Sequence, residues 1–136
     1  MLFRSEGWQL STPAIFLYAA HRAALEIVDE AGWENILAKK SKLNNYLWFL
    51  LQQLNEKSGK KFILITPKNE KERGCQVSLL INANGKFVYD ELIKTGFMVD
   101  WREPNTIRLA PVPLYNTFEE VWQFVQAFEK ILQSIA

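Results

Sequence analysis

The sequence predicts an α+β fold, a small sheet of about four mainly antiparallel strands packed with helices. Three observations lead there. Apolar residues recur at helical spacing near both ends, short alternating runs fill the middle, and the elements are segregated instead of alternating strand and helix one for one. With 136 residues, the chain fits one ordinary domain.

The first element is a helix over 13–31. Ser11 or Thr12 can cap it, Pro13 suits its first position, and Gly32 can end it. Ile15, Ala19, Ala23 and Ile27 recur every fourth residue, so one face is smooth enough for another element to approach closely. A second helix over 33–57 follows from Ile36, Leu43, Leu47, Leu50 and Leu54, and Ser58-Gly59 breaks it. Two strands are then expected over 61–66 and 75–81, separated by the charged loop Lys68 to Arg73. A short helix over 87–95 ends at Gly96. Strands over 97–101 and 106–110 flank the turn-forming set Arg102-Glu103-Pro104-Asn105 and make a hairpin. Thr117 and Glu120 form a capping box for the last helix, where Phe118, Val121, Val125, Phe128 and Leu132 are spaced three and four apart.

Composition excludes several function classes. The formal net charge of +1 gives no long-range field for nucleic acid or anionic membrane. No apolar run approaches a membrane span, and the single cysteine fits a reducing compartment, with the cytoplasm as the default location. Cys75 lacks the surroundings of a reactive thiolate and reads as a buried residue. His21 has neither a second histidine nor a nearby cysteine to complete a metal set, so no metal site is expected. The glycines are isolated and build no phosphate-cradling loop.

Arg108 stands out because it interrupts the apolar stretch Ile107 to Pro113. Strand alternation points its side chain, with those of Thr106 and Ala110, away from Ile107 and Leu109. A guanidinium on a strand beside Pro111-Val112-Pro113 suits bidentate capture of a carboxylate. A solvated arginine on an exposed sheet face fits the same spacing.

Three motifs carry a family resemblance: Gly7-Trp8-Gln9-Leu10-Ser11-Thr12-Pro13, Glu72-Arg73-Gly74-Cys75-Gln76, and the run from Thr106 to Phe118. In this order they resemble the last third of kynureninases. The resemblance implies the carboxy-terminal small domain of a homodimeric enzyme of the aspartate-aminotransferase fold type, which uses pyridoxal phosphate to hydrolyse kynurenine to anthranilate and alanine. It also implies that residues 1–12 lead in from a missing large domain and that 13–136 form the small domain. The family's arginine for the α-carboxylate of the amino-acid substrate carries over to Arg108. Thr12 stands where family members approach the cofactor phosphate of the neighbouring subunit, and an ordinary helix cap explains it equally well. Arg73 is not singled out beyond marking a loop that enters a strand. No lysine stands in the Tyr-Lys-Tyr-like surroundings of the family's Schiff-base lysine. The expectation is therefore a fragment that is inactive alone. The alternatives are a free-standing module that binds small acids or a dimerisation module.

Overall fold

The computed structural model describes residues 14–135. Ser11, Thr12 and Pro13 lie outside the described residues, but the first helix starts later than expected, with Ala14 as its N-cap and no side-chain cap bond, because an alanine has no side-chain acceptor to offer. The chain divides into two compact units, Met1–Ile36 and Leu37–Ala136.

The first unit contains helix α1 (Ile15–Ala31). Gly32 ends it with φ +79°, a conformation that favours glycine, and donates its N–H to Val28 O. No residue of α1 is buried, and Phe16 is 91% exposed. The smooth face expected from the sequence is present, and within its own unit none of its described residues is buried.

Helix α2 (Trp33–Lys57) runs from the first unit into the second. The second unit continues with β1 (Phe62–Leu64), β2 (Val77–Ile81), α3 (Gly85–Lys94), β3 (Asp100–Arg102), β4 (Thr106–Leu109) and α4 (Phe118–Ser134). The four strands form one sheet in the order β1-β2-β4-β3, and every pairing is antiparallel. The expected sheet and hairpin are both present. The strands are shorter than the sequence suggested, and a 3-10 turn, Glu70–Glu72, lies in the charged loop.

Alternation divides the sheet into two faces. Phe62, Val77, Leu79, Ile81, Ile107 and Leu109 point inward and are buried. They share a core with Leu43, Leu47, Trp48, Leu51 and Leu54 of α2, Val88 and Leu92 of α3, and the apolar stripe of α4. In α2 this stripe runs through Leu51, with Ile36 and Leu50 only half-buried. The capping box of α4 forms as expected: Glu120 N–H donates to Thr117 Oγ1, and Thr117 N–H donates to Glu120 Oε2. The backbone bond from Thr117, followed by its hydroxyl, holds the Glu120 carboxyl below the usual carboxylate range. Four strands with one face covered by helices leave the other face for something else.

Candidate functional site

The sheet face opposite the helical core of the second unit carries two cross-strand rows. In one, Asp100 of β3 stands opposite Arg108 of β4, which stands opposite Ser78 of β2. In the next, Arg102, Thr106, Leu80 and Ile63 follow one another from β3 to β1. The face is therefore ionic at the hairpin and apolar toward β1, where Ile63 is exposed.

Arg108 sits where alternation placed it, between buried Ile107 and buried Leu109. Its backbone is fixed on both sides, by β2 and by β3. Beyond β4 the proline turn is pinned as well. Val112 N–H donates to Asn116 Oδ1 at 2.8 Å, and Asn116 N–H donates back to Val112 O at 2.9 Å. The chain leaving the strand has little freedom, so the arginine's origin is well defined.

The guanidinium is ion-paired with Asp100, whose Oδ2 accepts from both Nε and Nη2. The same oxygen accepts from Arg102 Nε at 3.1 Å. The side chain of Arg108 remains 30% exposed and that of Asp100 47% exposed, so the pair is half open to water. The bond from Arg108, then the charge of Arg102, outweighs desolvation and holds the Asp100 carboxyl below its usual range. Sequence reasoning did not find Asp100. A four-residue turn over 102–105 would set Asp100 opposite Ile107, on the core side. The observed connection has three residues, Glu103 to Asn105, and pairs Arg102 with Thr106. That one-residue shift turns Asp100 onto the face of Arg108.

Arg73 is the second residue that sequence reasoning passed over. Its guanidinium donates to Asn44 Oδ1 at 2.8 Å, to Asn45 Oδ1, and to the carbonyls of Pro67 and Lys68, and it lies 4.7 Å from the Trp48 ring centre. Asn44 is buried and donates onward to Cys75 O at 3.0 Å. Arg73 thus ties the charged loop to α2 and sets where β2 begins. Its donors are committed, which leaves a structural task. Cys75, expected at the start of a buried strand, is only half-buried, and β2 starts at Val77. His21 lies exposed on α1.

A cavity of about 490 Å³ lies elsewhere, among Phe97, Met98, Pro111, Tyr115 and the amino-terminal half of α4. Arg108 does not line it. Two of its polar groups, Asn116 and Glu120, are already bonded within the proline turn and the helix cap, so the ionic row on the sheet is the better candidate. Among the described residues, no group of three His, Cys, Asp or Glu side chains is placed to hold a metal ion. No helix among them is long and apolar enough to cross a membrane.

A cofactor such as pyridoxal phosphate needs a lysine amine beside the substrate site and donors for its phosphate. Among the described residues, no strand contains a lysine. Lys61 is committed to the carbonyls of Leu132 and Ile135, and Lys40 to that of Arg73. The described residues do not by themselves build a holding site for that group; what they present on the sheet is the Arg108–Asp100 ion pair.

The kynureninase C-terminal domain family matches residues 36–128. Kynureninase from Koribacter versatilis (strain Ellin345) is 45% identical over 91% of this chain and 28% of its own length. That from Flavobacterium psychrophilum is 40% identical over 93% of this chain and 30% of its own. The chain thus spans about three tenths of the curated relatives it matches. Among solved structures, a NifS-like protein superposes with a TM-score of 0.68 at 24% identity, covering 83% of this chain and 32% of that one. Acetylornithine aminotransferase from Elizabethkingia anophelis gives 0.66 at 24% identity, over 84% and 27%. These two likenesses show a shared α+β fold of the aminotransferase type. By the family match and the relatives together, this chain belongs to the kynureninase family and corresponds to its carboxy-terminal domain.

Proposed function

We propose that this chain is the small domain of a pyridoxal-phosphate-dependent, homodimeric, cytoplasmic kynureninase, and that Arg108 grips the α-carboxylate of kynurenine. The observation that carries the reading is a guanidinium anchored on a two-sided strand, half exposed on the sheet face opposite the helical core of the second unit. A planar fork with its backbone fixed loses little freedom on binding a carboxylate, and the two parallel bonds set the orientation of the amino acid. Fixing the acid end places the side-chain carbonyl for attack by water, which is the positioning that hydrolysis needs. Pyridoxal phosphate, when bound, supplies the electron withdrawal from the α-carbon. The lysine and most phosphate contacts come from other polypeptide, so the chain alone is inactive. The apolar face of α1, unburied within its own unit, agrees with an absent partner surface. Thr12 remains the candidate for reaching the phosphate of a neighbouring subunit.

The test replaces the matching segment of the Koribacter versatilis kynureninase with this chain and follows anthranilate formation with pyridoxal phosphate present. The hybrid is expected to turn over kynurenine. Losing a charge-assisted pair is worth roughly 1.5–3 kcal/mol, so Arg108→Ala should raise KM about 10- to 100-fold, with Arg108→Lys in between. An inactive hybrid, or an unchanged KM in Arg108→Ala, would refute the proposal.

A further inference from the structure

We propose that Asp100 is the positioning residue for Arg108: it holds one edge of the guanidinium so that the other edge faces the substrate carboxylate. This inference rests on the reading of Arg108 given above.

A guanidinium has two edges suited to bidentate bonding, one made by Nε and Nη2 and one by Nη1 and Nη2. Asp100 Oδ2 occupies the first. Among the described residues, no acceptor is bonded to Nη1, so the terminal edge is available to a second carboxylate. A substrate carboxylate therefore does not need to displace Asp100. The two acids bind adjacent edges of one planar cation, each using a different hydrogen of Nη2.

The surrounding charges support the arrangement. Arg102 Nε also bonds Asp100 Oδ2, at 3.1 Å, so Asp100 is itself held from a second direction. Two arginines and one aspartate sum to a single positive charge, which one monocarboxylate neutralises. An unpaired Arg108 would keep its long side chain mobile and would have to be ordered by each arriving substrate. Asp100 also repels the incoming carboxylate. That repulsion acts between carboxylates on neighbouring edges in a half-exposed, water-screened site with the cation between them, whereas the orienting bonds are direct. Positioning should therefore outweigh repulsion.

The test reads KM and kcat for kynurenine in the hybrid enzyme described above, for Asp100→Asn, Arg108→Ala and the double variant. Asp100→Asn is expected to raise KM about tenfold while kcat changes less than about threefold. The double variant should match Arg108→Ala alone, because Asp100 acts only through that arginine. A purely structural aspartate would instead add its effect on KM to that of Arg108→Ala, whatever it does to the unfolding midpoint. If Arg108→Ala raises KM and Asp100→Asn does not, this inference fails and the arginine assignment stands. If neither changes KM, the arginine assignment fails as well. A second measurement needs no catalysis. In nitrogen-15 spectra of the 136-residue chain, the Arg108 Nε hydrogen should exchange slowly with water, and Asp100→Asn should abolish that protection. Unchanged exchange would overturn the proposal.

Discussion

The two faces of the sheet are built from the same short strands, yet adjacent residues do opposite work. Ile107 is fully buried against the helices, while its neighbour Arg108 stands half exposed in an ionic row. Leu79 and Ser78 differ in the same way one strand over. The inner face holds the fold together, and the outer face is free to bind because it contributes little to that stability. An arginine placed there can be specialised for a ligand without endangering the core.

The largest effect expected from this division lies on the inner face. Ile107→Ala removes a fully buried side chain and should cost about 2–5 kcal/mol in urea unfolding. A loss below about 1 kcal/mol would mean the core is less tightly packed than the structure shows. On the outer face, Arg108→Ala should lower the unfolding midpoint far less than Ile107→Ala does, while raising KM for kynurenine about 10- to 100-fold. A large fall in stability with no change in KM would reverse the roles of the two faces.

A smaller effect concerns acid. The Asp100 carboxyl is held low in the folded chain, chiefly by Arg108. Its contribution to stability is therefore full above the unfolded value, about 3.9, and fades as pH falls toward the lower folded value. Wild type and Asp100→Asn should accordingly differ in thermal midpoint at pH 7 and converge as pH falls below the lowered folded value. A gap that widens on acidification would contradict the sign. The smallest effect belongs to Ile63, exposed at the apolar end of the outer face. Ile63→Thr should shift the stability of this chain by no more than about 0.5 kcal/mol. It should lower the stability of the hybrid enzyme by more than that if a larger domain covers that face, as thermal unfolding of the hybrid would show.

Much of this was legible in the sequence because the relevant signals are local. The capping box of α4 spans Thr117 to Glu120, and the alternation around Arg108 needs only its immediate neighbours. The family was legible from three ordered motifs. What was hidden depends on partners distant in the chain or on exact register. Arg73 finds Asn44 and Asn45 at separations of 29 and 28 residues, and no local pattern announces such a contact. Asp100 lies close to Arg108 in sequence, but which face it takes turns on whether the hairpin loop has three or four residues. Helix α1 gives the opposite lesson. Its apolar face was read correctly, but what covers that face is not among the elements described, so pattern alone could not say where it packs.

The central claim, that Arg108 recognises the acid end of the substrate, is tested most directly by removing each partner in turn. In the hybrid enzyme, the inhibition constant of an uncleaved kynurenine analogue is compared with that of its decarboxylated counterpart, in wild type and in Arg108→Ala. The account predicts that wild type prefers the carboxylate form by about 10- to 100-fold and that the preference collapses to near unity in Arg108→Ala. A preference that survives intact in the variant would show that the carboxylate is held elsewhere.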